Sequence, residues 1–450
     1  MLKGLPFLLG LCACGADPEP APTTQIVEVA SFPATPVGAL DLVLQIDDSN
    51  GTADHQVSLA NGILSLLDAV SWDGGLPSLH VGVVTSDLGT SGSLDPENPG
   101  PPVGAPGQGG CAGNGKNGAS NSPETIIGPY LIHDEPPSLL LPNYRGSLTS
   151  VLGQLLRVGS TGCGFEQPLA ATRRFFARNP LFVRPEASLA IIMLADEDDC
   201  SIRDPAFFSS DEAELGPLTS MRCTREGVEC DESLTEVGAK TNCRARRDSR
   251  YVEDIDVSRT FFEALKARPD QLTVSAIVGP PAPVAIELRQ INTQIVISLA
   301  HSCVRQPTGR VIAANPAVRI AELVGEFRSR GALTSVCDDD FSPQLAHIGM
   351  TIKRSLGIAC IDAAALADGR AAPGVQPSCE ARDVREDGTP TALPRCPAAP
   401  GVDCFELVAD PRACPETAEH LRVVIRRTQP AAAGTRVEVD CEAPLPSTSG

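Results

Sequence analysis

The sequence predicts an α/β fold class: a doubly wound, mostly parallel sheet with disulfide-bearing insertions and a small Cys-rich β-containing C-terminal module. Three observations predict it. Between about residues 38 and 358, short apolar runs alternate with segments of helical periodicity. Two segments inside that range, at about 88–140 and 200–250, lose the periodicity and contain cysteine. From residue 359 to 450, proline and cysteine become frequent and helical periodicity disappears.

The N-terminus predicts export. Lys3 precedes a short apolar core, as in a signal peptide, and no later run is long enough to span a bilayer. The stretch Leu11-Cys12-Ala13-Cys14 resembles the bacterial lipoprotein box, so residues 1–14 are expected to be a signal with lipidation at Cys14. Ordinary secretion is the alternative. The only membrane association expected is therefore a lipid anchor.

The residues around Cys14 refine this prediction. Cys12 is the weaker acceptor because it follows the bulky Leu11. Gly15 follows Cys14, and in such boxes the absence of Asp at that place favours the outer membrane over the inner. Residues 15–37 are rich in Pro, Ala and Thr and are predicted to be a tether.

The charge balance excludes two classes of partner. The 450-residue chain has 36 basic and 56 acidic residues, a net charge of −20. Nucleic acid and anionic lipid surfaces both attract a surplus of Lys and Arg, so neither is expected as the main partner. A protein or other envelope ligand is expected instead.

Cysteine usage agrees with export. Of 16 cysteines, 14 follow Cys14, there is no CxxC, and the six histidines do not cluster with them. Disulfides are therefore favoured over zinc. Because short loops close most easily, the expected pairs are Cys111 with Cys163 and Cys303 with Cys337, and the four from Cys200 to Cys243 among themselves. The candidates are Cys111, Cys163, Cys200, Cys223, Cys230, Cys243, Cys303, Cys337, Cys360, Cys379, Cys396, Cys404, Cys414 and Cys441.

The elements follow from apolar periodicity, taken in chain order. The predicted buried strands are Leu40–Ile46, His80–Thr85, Ser188–Leu194, Leu272–Val278 and Leu333–Val336. The predicted helices are Val57–Val70 with Asp54 as its cap, Leu148–Val158, Gln167–Arg178, Phe261–Lys266, Ile320–Arg328 and Phe341–Leu356. Alternating runs at Leu421–Ile425 and Arg436–Val439 predict antiparallel strands in the C-terminal module.

Two of these strands end in acidic residues. Asp47 follows the first strand, and Asp196 follows Ser188–Leu194 after a single alanine. If the two strands are neighbours in the centre of a parallel sheet, their carboxylates converge at its carboxyl edge, where ligands bind in open α/β sheets. Two repelling carboxylates in one cleft favour a hard cation with oxygen ligands.

At this point the chain resembles a von Willebrand factor type A domain, which has a Rossmann-like sheet and a metal-ion-dependent adhesion site. The first motif of that site matches at Asp47 and Ser49, the middle-loop threonine at Thr161, and the last aspartate at Asp196. The resemblance covers about residues 40–358 and is closest to exported, Cys-rich proteins of the myxobacterial type. It implies a divalent cation, Mg²⁺ first and Mn²⁺ or Ca²⁺ as alternatives, whose open position takes a carboxylate from a partner. The expected function is then cell adhesion or protein binding by a cell-envelope lipoprotein.

The chain departs from the pattern at two places. Gly51 replaces the second serine, although Thr52 stands beside it, and Glu197 follows Asp196 where the family has glycine. Further residues are expected to support the site, each with an ordinary structural role as the alternative. They are Gly51, Thr52, Thr85, Asp87 and Glu166.

Other interpretations of the acidic residues stay open. Asp47 and Ser49 could cap the following helix and close a turn, and 196–199 could be a solvated loop or a partner for arginines. The site would then be vestigial and the protein a scaffold. A hydrolase using the two carboxylates is a third interpretation. With 4% aromatic residues and no G-x-S-x-G, P-loop or HExxH motif, enzyme activity is not expected.

Overall fold

The computed structural model describes residues 24–71, 75–105, 109–134, 141–291, 294–306, 311–367, 377–397, 399, 401–415 and 417–445. The predicted signal peptide, Cys14 and the first part of the predicted tether lie outside these residues. Within them, no helix combines the length and the apolarity that crossing a bilayer requires.

The elements are numbered in chain order. The strands are β1 (Thr24–Pro33), β2 (Ala39–Ile46), β3 (Ser78–Thr85), β4 (Leu131–His133), β5 (Ser188–Leu194), β6 (Val228–Glu229), β7 (Gly238–Lys240), β8 (Arg244–Ala245), β9 (Leu272–Val278), β10 (Val284–Ile291), β11 (Gln294–Leu299), β12 (Cys303–Arg305), β13 (Ile312–Ala314), β14 (Gly331–Ser335), β15 (Cys360–Ile361), β16 (Cys379–Val384), β17 (Pro390–Leu393), β18 (Cys404–Ala409), β19 (Leu421–Arg426) and β20 (Arg436–Pro444). The helices are α1 (Ala53–Val70), α2 (Leu148–Leu155), α3 (Pro168–Arg178), α4 (Glu212–Leu215), α5 (Met221–Gly227), α6 (Ile255–Ala264), α7 (Val318–Glu326) and α8 (Ser342–Ser355). Short 3-10 turns lie at Pro205–Phe208, Pro269–Gln271, Arg328–Arg330 and Ala363–Ala365.

A six-stranded mixed sheet forms the centre, in the order β14-β9-β5-β2-β3-β4. The first five strands are parallel, and β4 pairs with β3 in the antiparallel sense. Every residue of β5 is buried, as expected for a strand covered on both faces. One core lies between the sheet and α1, α2 and α8, and a second between the sheet and α3, α6 and α7. The predicted α/β sheet with helices on both faces is confirmed at this level.

Two predicted boundaries need correction. β4 lies inside the segment predicted to be an irregular insertion; three residues give too little pattern to show a strand. Helix α1 begins at Ala53 with Thr52 as its N-cap, so Asp54 lies in the first turn and is not the cap.

The predicted tether is wrong for Thr24–Pro33. This segment is β1, which pairs antiparallel with β20 at the other end of the chain. Ala30 and Phe32 are buried in the core of the C-terminal module. The Pro, Ala and Thr content of residues 15–37 is typical of a tether, whereas the alternation of side chains within Thr24–Pro33 has the period of a strand.

The C-terminal module contains the antiparallel strands that the sequence predicts. One sheet has the order β1-β20-β16-β17 and the other β15-β19-β18. Three disulfides staple it: Cys360–Cys414, Cys379–Cys441 and Cys396–Cys404. The module also includes β1, so its strands come from both ends of the described chain.

The disulfide predictions are confirmed. Cys111 pairs with Cys163, and Cys303 pairs with Cys337. The four cysteines of the 200–250 insertion pair among themselves, as Cys200–Cys223 and Cys230–Cys243. All 14 cysteines within the described ranges are therefore paired.

One set of elements was not predicted. Between β9 and α7 the chain forms two hairpins, β10–β11 and β12–β13. β10 also pairs with β7 of the 200–250 insertion, which gives a three-stranded sheet in the order β11-β10-β7. The β12–β13 hairpin lies beside the carboxyl end of β5, because Asn315, just after β13, donates its backbone N–H to the carbonyl of Asp196.

Candidate functional site

The carboxyl ends of β2 and β5 lie side by side at the centre of the sheet. Ile46 is in register with Leu194, and the N–H of Asp47 donates to the carbonyl of Leu194 at 2.9 Å. From β2 the chain goes first to β3 on one side and later to β5 on the other, which makes this edge a topological switch point. The sequence prediction that Asp47 and Asp196 follow adjacent central strands is confirmed.

The loop after β2 folds around the Asp47 carboxylate. Asp47 Oδ1 accepts the N–H of Ser49 at 2.7 Å, and the Thr52 hydroxyl donates to the Ser49 carbonyl at 2.9 Å. No side chain caps α1 at Thr52, so Asp47 and Ser49 close a turn and are not helix caps. Gly51 has a φ of 119°, a conformation that a serine adopts only with strain. A Cβ placed there would lie 4.0 Å from Asp196 Oδ2, so Gly51 faces Asp196.

Asp47 and Asp196 form a carboxyl pair. Burial, followed by the charge of Asp196, raises the pKa of Asp47 well above its ordinary value. Burial, followed by the charge of Glu197, raises the pKa of Asp196 to about 7. The two carboxyls are close enough for each to change the pKa of the other, and Asp47 Oδ2, which is buried, has no hydrogen-bond partner among the described residues. Such a pair holds either a proton or a cation at neutral pH.

Two glutamates lie close enough to this pair for their charges to interact with it. Glu166 is 2% exposed, and its pKa is raised well above the ordinary value by burial and by the charges of Glu197, Asp47 and Asp196. Burial and then the charge of Asp47 raise the pKa of Glu197 to about 7, against hydrogen bonds from Ser220 and Glu166. Glu166 is therefore not the ordinary surface residue that the sequence left open. Glu197 was not proposed as a site residue; its place one residue after Asp196 was the available signal.

The loop that carries Thr161 packs against the first loop. Gly162 donates its N–H to the Asp48 carbonyl at 2.7 Å, and a Cβ on Gly162 would lie 2.5 Å from Asp48 Cγ, so only glycine fits. Thr161 itself is exposed. Gln56, in the first turns of α1, donates to the carbonyls of Gly159 at 2.6 Å and Asp47 at 3.0 Å. Gln56 therefore holds two of the site loops together, a role that the sequence did not indicate.

The end of β3 contributes the hydroxyl of Ser86, which stands between the predicted supporting residues Thr85 and Asp87. The hydroxyl oxygen of Ser86 lies 3.4 Å from Asp47 Oδ1 and 3.4 Å from Asp48 Oδ1, within hydrogen-bond reach of both carboxylates. Thr85 is buried, and among the described residues its hydroxyl has no hydrogen-bond partner. Asp87 instead accepts the N–H of Gly89 at 2.9 Å, within its own loop.

The only cation paired with the first loop in the described part of the chain comes from the 88–140 insertion. Lys116 Nζ lies 2.5 Å from Asp48 Oδ2. The pKa of Asp48 is still raised, because burial outweighs the charge of Lys116. Asp48 thus has a counter-charge that neighbouring Asp47 lacks.

The residues present fit a hard cation in donor type but are sparse. Asp47 and Asp196 offer carboxylate oxygens, and Ser49, Thr85 and Ser86 offer hydroxyls close by, all oxygen ligands. In the described ranges, no three or more His, Cys, Asp or Glu side chains are grouped so as to hold a metal ion. A cation there would depend on two carboxylates completed by hydroxyls and water.

Comparison with known proteins gives little. No protein-family model matches the chain, and no curated protein matches it. Among solved structures, the pilus adhesin SpaC of Lactobacillus rhamnosus GG in its open conformation has a TM-score of 0.30 and 10% identity, over 96% of this chain and 44% of that one. The pilus adhesin RrgA of Streptococcus pneumoniae has a TM-score of 0.26 and 12% identity, over 93% and 58%. A human COPII-coat protein has a TM-score of 0.29 and 9% identity, over 91% and 44%. The chain spans about half the length of these structures, and likeness at this level says nothing about function.

Proposed function

We propose that the protein is an exported binding protein of the von Willebrand factor type A kind, which recognises a polypeptide at the carboxyl edge of its central sheet. The seven disulfides among the described residues suit an oxidising compartment. The sequence around Cys14 supports a lipid anchor in the outer membrane, and mass spectrometry of the mature N-terminus tests that part. The role is binding and not catalysis.

The observation that carries the proposal is the Asp47–Asp196 pair. Its two carboxyls come from separate loops, meet at a topological switch point, and leave Asp47 Oδ2 buried without a partner. Two carboxylates without a counter-cation are costly in this position unless a proton or a metal ion joins them. The loop order of Asp47 and Ser49, then Thr161, then Asp196 is the order that the type A resemblance implies.

A divalent cation would be held by Asp47 and Asp196, with hydroxyls such as that of Ser49 and with water completing its ligands. Mg²⁺ suits this set because it keeps part of its water shell. The cation would supply a positive centre for a carboxylate of the partner. The absence of a hydroxyl at Gly51 should make the affinity weak, and Thr161 would contribute only if its exposed side chain turned towards the site.

The test is a Mg²⁺ and Mn²⁺ titration followed by thermal unfolding. At ten times its dissociation constant, a ligand of the folded state adds about 1.4 kcal/mol to the free energy of unfolding. Asp196→Asn keeps the shape of the side chain and removes its charge, so it should abolish the increment. Asp87→Asn is the matched control, because Asp87 bonds within its own loop and should leave the increment unchanged. No increment in the unmutated protein at saturating cation would reject the metal-dependent form of the proposal.

A scaffold with a vestigial site is the second candidate, favoured by the raised pKa values of Asp47 and Asp196. In that case a shared proton takes the place of the cation. The protein would then show the pH dependence described in the Discussion, but divalent cations would not change it.

A further inference from the structure

The strand β11 is the outer strand of the sheet β11-β10-β7. In the part of the chain that the structure describes, no strand pairs with its outer edge. Its register with β10 runs without a bulge from Ile286↔Leu299 to Ile291↔Gln294. The edge is therefore regular and able to continue the sheet.

The ladder shows which backbone groups point outward. The N–H of Ala300 donates to the carbonyl of Ala285 at 2.9 Å, so these two residues form a hydrogen-bonded pair. Because antiparallel pairs alternate, the N–H and C=O groups of Ile295 and Ile297 point away from β10. The next outward carbonyl, of Leu299, is already taken by the Arg289 guanidinium at 3.0 Å. Ile295 and Ile297 thus present the free part of the edge.

This edge lacks the usual protection. The β11 sequence, QIVISL, has no charge, proline or glycine, although the chain as a whole carries a net charge of −20. Ile295 is 70% exposed, and Leu288 on the same face of β10 is 61% exposed. Natural sheets protect such edges with lysine, proline or bulges, because an open apolar edge pairs with any extended chain.

We propose that the free edge of β11 binds an extended segment of a partner polypeptide. The side chains of that segment alternate between apolar and basic. Strand addition would pair the segment with the outward groups of Ile295 and Ile297. Its apolar side chains would then lie on the face of Ile295 and Leu288.

The charges near the opposite face of β11 indicate which kind of segment would bind there. Val296 and Ser298 line a cavity of about 170 Å³ whose wall includes Glu197. The Arg289 guanidinium also lies there, but it is paired with Glu287 at 2.8 Å. Lys or Arg side chains of the incoming segment would face Glu197. A second copy of this chain would bring another net charge of −20, so a basic segment of a different protein fits better.

The probe is a blocked hexapeptide of alternating valine and lysine, labelled and followed by fluorescence anisotropy against the full-length protein in EDTA. Binding in EDTA separates this surface from the cation site, so either proposal can fail alone. The same peptide with N-methyl groups on the edge-facing nitrogens should bind roughly tenfold more weakly or worse, since those nitrogens can no longer donate hydrogen bonds to the strand. A valine–glutamate peptide should bind more weakly than the lysine form.

Two substitutions test the strand itself. Ile295→Pro removes an outward N–H without removing a bond to β10, and Ile295→Lys adds a charge at an exposed position. Both should weaken binding roughly tenfold. Ile127→Lys is the control, because Ile127 is also 70% exposed and lies outside the strand, so binding should be unchanged.

Equal binding of the N-methylated peptide, or full binding by both Ile295 variants, would overturn the proposal. It would also be overturned if the protein alone sediments as a dimer that Ile295→Lys dissociates, because the occupant would then be a second copy.

Discussion

The acidic run Asp196–Asp199 contains two regions with opposite surroundings. Asp198 and Asp199 lie against Arg319, which is 1% exposed. Asp198 accepts the backbone N–H groups of Arg319 and Ile320 at the start of α7, at 2.9 to 3.1 Å. Asp199 Oδ2 accepts from Arg319 Nη2 at 3.0 Å, and its Oδ1 accepts the N–H of Leu169 in α3. This half of the run fastens two helices to the end of β5.

In the described part of the chain, Asp196 and Glu197 form no salt bridge. Asp196 and Glu197 face Asp47 and Glu166, so like charges meet where donors would be expected. The pKa of Asp198 is raised to about 6 by burial, in spite of Arg319 and the helix N–H groups; those of Asp196 and Glu197 reach about 7. The difference teaches that adjacent carboxylates of one sequence run can have different surroundings, one pair bonded to Arg319 and the start of α7 and the other facing further carboxyls.

The largest effect is expected from breaking the structural half. Asp199→Asn removes the charge that neutralises Arg319 and places an amide NH₂ against existing donors. Because the buried Arg319 is then left without its counter-charge, the free energy of unfolding should fall by about 3–5 kcal/mol. Denaturant unfolding under oxidising conditions measures it. Asp196→Asn is the matched control in the same run and should cost less than about 1 kcal/mol. Similar losses for both variants would show that the two halves do not differ.

A smaller effect is expected from pH. The pKa values of Asp196 and Glu197 rise from 3.8 and 4.5 to about 7 in the folded protein. The folded state therefore binds more protons than the unfolded state between these values. The stability from this source is complete below pH 3.8 and is lost as the pH rises through about 7. In EDTA the loss should be on the order of 1–2 kcal/mol, since both groups are partly exposed to solvent.

The measurement is the difference in unfolding free energy between the unmutated protein and Asp196→Asn across this pH range. The difference is needed because His55, whose pKa burial lowers from 6.5 to about 4, acts in the opposite direction in both proteins. Its stabilisation is lost as the pH falls below 6.5. If a cation occupies the site, the Mg²⁺ increment should grow over the interval in which the proton leaves. If the difference in unfolding free energy did not change with pH, the raised pKa values of the carboxyl pair would be contradicted.

The sequence predicts the two central strands and the acidic residues that follow them, because these signals are local. β5 is a nearly continuous apolar run, and β2 is apolar except for Asp41 and Gln45. The residues that follow these strands mark the candidate site at Asp47 and Asp196. The division of 196–199 into two halves could not be predicted, since it depends on where α7 brings Arg319. Interpretation of the run as a partner for arginines is confirmed for Asp199 and does not describe Asp196.

What the sequence missed depends on contacts between distant segments. β1 pairs with β20 across most of the chain length, and neither composition nor spacing indicates that pairing. Gln56 reaches the site from the first turns of α1, and Lys116 reaches it from the 88–140 insertion, which has no periodicity to indicate its direction. Local pattern thus identified the strand ends but not the side chains that surround them.

The smallest effect is expected at Lys116, which marks the boundary between the two kinds of carboxylate within the first loop. Lys116 is 38% exposed and pairs with Asp48, whereas Asp47, one residue earlier, has no cation. A pair with one partner in solvent contributes about 0.5–1 kcal/mol, so Lys116→Met should lower the unfolding free energy by no more than that. If Lys116 serves Asp48 alone, the Mg²⁺ increment should stay the same in this variant. An increment that rises markedly would mean that the ammonium competes with the cation for the Asp47 side of the loop, and the two carboxylates would then belong to one site.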